Sequence, residues 1–238
     1  MSNKRIDLWG TSFDNFLDWD ASSNAFEKYD TLVWCEFDDM YYFPEFSMKC
    51  IANEIKPLCG LRFRLQTPED CLVDSINIIC YAEDEEGCEE LQFLYCRCNG
   101  GELKYEDFCK FSNHLQVGLD LVLAEVDMLI IDNILEFVLV PDFVLIDLNQ
   151  YIFRCWEKCR KILEEKNILI CGSGFPMSYE LEDENILNDF FFLGDKAYEY
   201  VIENPQKIAD RITGNYNFDI SLIKKIRQSR MVRHYRIP

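Results

Sequence analysis

The sequence predicts an α+β fold of mixed α/β character, with a β-rich antiparallel first half and a strand-helix-strand unit and further helices in the second half. The first observation is a row of short β-forming runs in the first half of the chain. The second is the stretch 136–175, which contains an apolar run, a long amphipathic run and a second apolar run. The third is composition, because 49% of the 238 residues are hydrophobic and 14% are aromatic. That content can form a sizeable core and argues against global disorder.

The first half contains a row of predicted strands, the last three of which are expected to form an antiparallel meander. Thr31–Phe37 is rich in β-formers, and Leu61–Gln66 alternates apolar residues with arginine. Two further runs are joined by the acidic link 83–90, and Asn99-Gly100-Gly101 is a strong turn signal before a last short run. The remaining predicted strands are Ile76–Ala82, Leu91–Cys98 and Glu102–Tyr105.

Two helices are predicted in the same half. Between Phe46 and Leu58 apolar residues recur at helical spacing, and Pro57 with Gly60 closes the segment. A second helix is expected over 113–125, where the periodicity is mixed.

In the second half, the amphipathic part of 136–175 is expected to be a helix between two strands. Its apolar residues recur at three- and four-residue steps and so lie on one helical stripe: Ile152, Cys155, Trp156, Cys159, Ile162 and Leu163. A helix is then predicted over Ile186–Glu203, stopped by Asn204-Pro205. The last predicted helix starts near Asp219 and turns three isoleucines inward: Ile220, Ile223 and Ile226.

The domain organisation has two interpretations. The chain is expected to form a single acidic domain over 1–238. The alternative is a division into a β-rich subdomain, 1–128, and an α/β subdomain, 129–238, that carries the basic C-terminal helix.

Net charge is the strongest global signal. The chain has 24 Lys and Arg against 43 Asp and Glu, a formal charge of −19. Residues 207–238 hold eight cations and two anions, so they carry +6 and the first 206 residues carry −25. A body this acidic repels nucleic acid and anionic membranes, and it attracts basic proteins at rates enhanced by electrostatic steering.

The chain is expected to act in the cytoplasm. No apolar run reaches the roughly 18 residues that span a bilayer, and the N-terminus lacks the pattern of a secretory signal. The twelve cysteines are therefore expected to be mostly reduced, buried thiols. A zinc site is conceivable, but the spacing lacks a CxxC pair. Its candidate ligands are Cys88, Cys96, Cys98 and Cys109.

The motifs for catalysis are weak. Gly172-Ser173-Gly174 follows a predicted strand, where an α/β protein can place a phosphate-binding turn, but position 177 is Met rather than a third glycine. Asp142 with Glu164-Glu165-Lys166 resembles a nuclease pattern only superficially, because the last three lie at the end of a predicted helix. With only two histidines, a nucleophile-histidine pair has few options. We therefore predict no catalytic residue, no metal and no cofactor.

Three acidic clusters, at 36–45, 83–90 and 180–184, predict binding instead. A solvated surface explains any one of them, but a charge of −25 on one body exceeds the magnitude of about 2–8 that keeps a small domain soluble. The first cluster also mixes acids with aromatics, a composition typical of a buried anchor in a protein interface. The predicted partner-binding residues are Glu36, Asp38, Asp39, Tyr41, Tyr42, Glu45, Glu83, Asp84, Glu85, Glu86, Glu182, Asp183 and Glu184.

The function predicted from these observations is inhibition by binding. The chain is expected to occupy the basic surface of a nuclease, toxin or nucleic-acid-targeting defence effector, by occlusion or nucleic-acid mimicry, as an immunity protein or a phage anti-defence protein. The basic C-terminal segment is interpreted as docking on the chain's own acidic body, with a nucleic-acid-binding arm as the alternative. Two other functions stay open: an enzyme of nucleotide or small-molecule metabolism that uses the loop Gly172–Gly174, and a scaffold or viral structural component.

Overall fold

One mixed β-sheet organises the protein. The computed structural model describes residues 6, 8, 30–121, 128–147, 156–173 and 195–234. Within them, seven strands have the order β1-β2-β3-β5-β6-β7, and β4 pairs with β2. The strands are β1 (Thr31–Phe37), β2 (Lys56–Gln66), β3 (Ser75–Ala82), β4 (Glu102–Leu103), β5 (Leu115–Asp120), β6 (Phe143–Asp147) and β7 (Leu169–Ser173).

The helices connect these strands and follow the last one, which makes the fold α+β. They are α1 (Phe43–Ala52), α2 (Glu85–Arg97), α3 (Tyr105–Lys110), α4 (Met128–Phe137), α5 (Trp156–Glu165), a π-helical segment (Glu199–Glu203) that runs into α6 (Asn204–Arg211), and α7 (Ile220–His234).

The strand directions bring most carboxyl ends to one edge of the sheet. β3 pairs antiparallel with both β2 and β5, whereas the β1–β2, β2–β4, β5–β6 and β6–β7 pairs are parallel. The first parallel pair is joined by α1, and the last two are separated in sequence by α4 and α5. The segment that follows β1, which contains the first acidic cluster, therefore leaves the sheet at this edge.

The core occupies both faces of the sheet. On one face a large cluster joins the sheet to α1 and α2, with Trp34, Phe46 and Tyr95 almost fully buried. On the other face Tyr81 and Phe143 pack with residues of α6, such as Ile208. The predicted boundary near residue 128 falls between β5 and β6, which are neighbours in this sheet.

Several predicted strands are confirmed. Thr31–Phe37 is β1, and the predicted strands at 61–66 and 76–82 are parts of β2 and β3. The strand-helix-strand unit of 136–175 is confirmed as β6, α5 and β7, and part of the connection between β6 and α5 lies outside the described residues.

The prediction of a strand at Leu91–Cys98 is wrong, because this run belongs to α2. The acidic link before it is the first turn of that helix, where Asp84 accepts a hydrogen bond from the Gly87 N–H at 2.9 Å and acids favour the positive end of the helix dipole. Leu91, Leu94 and Tyr95 are buried at helical spacing.

The helix predicted over 113–125 is also wrong, since Leu115–Asp120 forms β5 between β3 and β6. Five of its six residues are buried, so the strand lacks the alternation that identifies a half-exposed strand. The predicted strand at 102–105 is only two residues long, and α3 begins at Tyr105.

Two predicted helices have different bounds. The first begins at Phe43, with Pro44 in its first turn, and ends at Ala52. Pro57 lies in a part of β2 that pairs with β1 but not yet with β3, where a missing N–H is tolerated. Asn204-Pro205 does not stop the helical course at residue 203, because Pro205 fits the first turn of α6.

The last helix starts as predicted. The carboxylate of Asp219 accepts from the Leu222 N–H at 3.0 Å and from the Ser221 hydroxyl at 2.9 Å. Ile223 is buried (1% exposed), but Ile220 is 45% exposed and does not face the core.

Candidate partner-binding surface

The first acidic cluster forms one wall of a surface pocket of about 270 Å³. Its lining combines three aromatic side chains, two carboxylates and one guanidinium, contributed by Trp34, Glu36, Asp39, Tyr41, Tyr42 and Arg227. The volume is just below the range of about 300–1,000 Å³ that holds a drug-sized ligand, so the pocket suits a side chain better than a nucleotide.

Local sequence explains how the floor of the pocket forms. Residues two apart in a strand lie on the same face of the sheet, which places Trp34 and Glu36 together at the end of β1. Trp34 is 1% exposed and packs against Phe46 of α1, with ring centroids 5.4 Å apart. Beyond β1, the Tyr41 N–H donates to Asp39 Oδ1 at 3.0 Å, which fixes the turn into α1.

Tyr41 and Tyr42 form a rigid aromatic corner. Their rings meet edge-on, with an interplanar angle of 90° and centroids 4.9 Å apart. The Arg227 guanidinium carbon lies 4.0 Å from the centroid of Tyr41 and 5.7 Å from that of Tyr42. Both distances fall within the roughly 6 Å over which a cation is attracted to a ring face.

Asp38 ties this region to three other parts of the chain. Its φ of 51° lies in the left-handed region that Asp and Asn tolerate best among side chains with a Cβ, and its N–H still donates to the Arg62 carbonyl. Its carboxylate accepts from the Gly101 N–H at 2.7 Å and pairs with Arg230 at 2.7 Å. The two paired side chains are 11% and 19% exposed, so this ion pair is largely removed from water.

Arg230 makes further hydrogen bonds that hold α7 in place. It donates to three backbone carbonyls, those of Asp38, Tyr95 and Cys98. Its guanidinium carbon also lies 4.2 Å from the ring centroid of Tyr95. The expectation that the basic C-terminal helix docks on the chain's own body is confirmed for its described residues.

Among the carboxyl groups of the pocket, Glu36 has a raised pKa. Burial raises the pKa of its carboxyl, and the nearby charge of Asp39 raises it further, while Arg62 opposes the change. Among the lining residues, two carboxylates face one guanidinium, which favours a further positive group.

The second acidic cluster lies at the start of α2, where it caps the helix and forms its first turn. Asp84 is its N-cap, Glu83 accepts a hydrogen bond from the Gln116 side chain, and Glu85 and Glu86 are exposed in the first turn. His114 lies against this turn. Its Nε2 is 3.0 Å from Glu86 and its Nδ1 is 3.5 Å from Asp84.

The other predicted site residues that the structure describes do not line the pocket. Glu45 is exposed on α1 and pairs with Lys49 at 3.1 Å. Glu182, Asp183 and Glu184 lie outside the described residues. Among the predicted residues, the structure thus brings Glu36, Asp39, Tyr41 and Tyr42 together in the lining of the pocket. Asp38 is adjacent in sequence but is not part of that lining.

The candidates for metal binding and catalysis are scattered. In the described part of the chain, no group of three or more His, Cys, Asp or Glu could hold a metal ion. Cys88 and Cys98 are buried, whereas Cys96 and Cys109 are exposed.

The nuclease-like residues have local partners. Asp142 accepts from the Val117 N–H at 2.9 Å and lies 3.6 Å from Arg211. Glu164 accepts from Arg160 and from the Tyr200 hydroxyl. Gly172 and Ser173 close β7, and Gly174 lies outside the described residues.

Two members of the pocket, Trp34 and Arg227, are absent from the sequence prediction. The alternation in β1 could have paired Trp34 with Glu36. No local signal could have selected Arg227 among the cations of the last helix, because its position depends on how α7 packs.

No protein-family model matches the chain, and no curated protein matches it. Among the residues that the structure describes, no helix is long and apolar enough to cross a membrane.

Proposed function

We propose that this protein is an acidic inhibitor that binds a basic nucleic-acid-binding or nuclease partner and occludes its functional surface. Toxin-neutralising immunity proteins and phage anti-defence proteins are the two classes that fit this chemistry. The observation that carries the proposal is the pocket at the end of β1, where an acid-aromatic surface binds a guanidinium supplied by the chain itself. A surface that holds one arginine in this way has the chemistry to hold a partner's arginines.

Charge and shape have separate roles in the proposed mechanism. The −25 of the first 206 residues attracts a basic partner from a distance, which speeds association more than it strengthens the final complex. The aromatic corner of Tyr41 and Tyr42 then supplies contact area at the centre of the interface. Exposed acids at the start of α2, Glu85 and Glu86, extend the negative surface. A basic cleft covered in this way no longer reaches nucleic acid.

We place this activity in the cytoplasm. The eleven described cysteines are free thiols, and eight of them are buried. Such thiols suit a reducing compartment.

The test begins with affinity capture from the native host and continues with each captured basic protein in purified form. Association rate and affinity are measured from about 0.1 to 1 M salt, over which the Debye length falls from about 10 to 3 Å. The nuclease or nucleic-acid-binding activity of the partner is measured in parallel. We expect tight binding, a strongly salt-dependent association rate and loss of the partner's activity in the complex.

A matched pair of double variants shows where the partner binds. Glu36→Gln with Asp39→Asn removes two charges from the pocket, whereas Glu165→Gln with Glu203→Gln removes two exposed charges near β7. Only the first pair should weaken binding. The proposal is wrong if no basic protein is captured, or if binding is insensitive to both salt and the pocket variant.

The second candidate function is that of an enzyme of nucleotide or small-molecule metabolism that uses the loop Gly172–Gly174. One observation favours it: β7 ends at Gly172-Ser173 beside the carboxyl ends of β5 and β6, the edge where α/β proteins bind ligands. A thermal-shift screen with nucleotides tests it. Stabilisation that disappears in Gly174→Val would favour the enzyme over the inhibitor.

A further inference from the structure

The pocket at the end of β1 already contains a ligand-like group. The guanidinium of Arg227 is stacked 4.0 Å from the centre of the Tyr41 ring, in the corner that Tyr42 closes. Glu36 and Asp39 supply negative charge around it. Aromatic faces with adjacent carboxylates are the environment in which proteins bind organic cations.

The geometry favours a guanidinium over an ammonium. A guanidinium is planar and weakly hydrated, so it can lie flat on an aromatic ring while its edge donates to carboxylates. An ammonium is a compact and strongly hydrated charge that makes less use of a ring face.

Two arginines of α7, Arg227 and Arg230, are held in different ways. Arg230 is 19% exposed, pairs with Asp38 and donates to three backbone carbonyls. Arg227, one turn earlier, lines the surface pocket and lies on the rings of Tyr41 and Tyr42. Arg230 can therefore keep the helix docked while the Arg227 side chain moves to another rotamer.

We propose that this pocket is a binding site for an arginine side chain of the partner protein, and that Arg227 is its internal occupant, which the partner's arginine replaces. The proposal rests on the proposed function for the source of that arginine. The chain's own residue lowers the apparent affinity of the pocket for guanidinium groups. A partner that presents an arginine within a complementary surface therefore displaces it more readily than a free arginine does.

The experiment uses a small probe, so that it does not depend on knowing the partner. N-acetyl-L-arginine amide is titrated into the isotope-labelled full-length protein, and the ring signals of Tyr41 and Tyr42 are followed by NMR. N-acetyl-L-citrulline amide, which has nearly the same shape and no charge, is the control ligand. Three variants are compared with the unmodified protein: Arg227→Met, Lys224→Met and Tyr41→Leu.

If Arg227 occupies the site, its removal should increase the affinity of the pocket for the arginine probe. Arg227→Met should bind the arginine probe about fivefold more tightly, since an exposed cation–π contact is of the size that changes an equilibrium constant by that factor. Lys224 is an exposed cation of the same helix, so Lys224→Met makes the same charge change without touching the pocket and should bind as the unmodified protein does. Tyr41→Leu should bind at least fivefold more weakly than the unmodified protein, and the citrulline probe should not bind.

The outcomes separate this proposal from the proposed function. Equal affinity of Arg227→Met and the unmodified protein, or equal binding of the two probes, would overturn the arginine site. A second variant, Arg227→Lys, keeps the charge and the docked helix, and it should show an intermediate gain in affinity. If the probe results fail while a basic protein still binds in a salt-dependent way, the inhibitor stands and its anchor lies elsewhere.

Discussion

Arg230 should be the most important single residue of the C-terminal helix for stability. The variant Arg230→Met keeps most of the aliphatic stem but leaves the Asp38 carboxylate without its cation in a largely buried position. Breaking a buried ion pair by removing one partner costs about 3–5 kcal/mol. Three backbone carbonyls also lose a donor, so the upper part of that range applies. For a chain of this size, a loss of about 4–5 kcal/mol should lower the melting temperature by about 8–20 °C.

The assay is urea unfolding followed by circular dichroism, with the free energy obtained by linear extrapolation. Lys225→Met removes an exposed cation of the same helix and should change stability by less than about 0.5 kcal/mol. Asp38→Asn tolerates the left-handed φ and can still accept from the Gly101 N–H, so it should cost less than Arg230→Met. The double variant should show a coupling free energy of about 0.5–3 kcal/mol between the two residues.

A small effect would refute this reasoning. If Arg230→Met lowered the free energy of unfolding by less than about 1 kcal/mol, the pair would behave as an exposed surface ion pair. The docking of α7 by a buried ion pair would then be wrong.

Three further predictions concern other parts of the molecule. Gly118→Ala should destabilise the protein by about 1–3 kcal/mol in urea unfolding, because a Cβ would lie 2.3 Å from the Phe143 ring in the core; no loss would mean that the ring moves freely. Desolvation lowers the pKa of His114, but Glu86 and its neighbouring acids raise it by more, so His114 should titrate in NMR with a pKa above 6.5. The stabilising contribution of His114 is then present below its unfolded pKa and lost as pH rises through the folded pKa. Glu86→Gln should lower the folded pKa of His114. In mass spectrometry of the native protein after brief alkylation, buried thiols with raised pKa values, such as Cys50 at about 12, should stay unmodified. Among the described cysteines, those that react first should be Cys96 and Cys109.

Local sequence patterns predicted the amphipathic helix α5 and the strands with clear β-forming runs. The strand-helix-strand unit around α5 follows from an amphipathic run between two apolar runs, and β1 follows from its β-forming residues. β5 was not recognised because Gln116 and Gly118 interrupt its apolar residues while both of its faces are buried, so it shows neither alternation nor a continuous apolar run. α2 was missed because its first turn is rich in acids, which cap and stabilise a helix as readily as they fill a loop.

The candidate site was predictable in composition but not in geometry. The acids and tyrosines after β1 stand out in the sequence, and four of them do meet in one pocket. The position of Asp38 could not be deduced, because its partner is 192 residues away and the pairing depends on the packing of α7. Arg227 could not be identified for the same reason, because in the sequence it is only one of several cations of the last helix, far from Tyr41 and Tyr42.

The contact between residues 38 and 230 also has a consequence for biosynthesis. The acid-aromatic turn is synthesised well before the helix that completes it, because Asp38 and Arg230 are 192 residues apart. Until then, Tyr41 and Tyr42 lack the arginine that covers them, and Asp38 lacks its counter-charge. A nascent or truncated chain that lacks α7 would therefore present an unfilled pocket, and the ability to bind cations selectively would arise only after this helix has been synthesised.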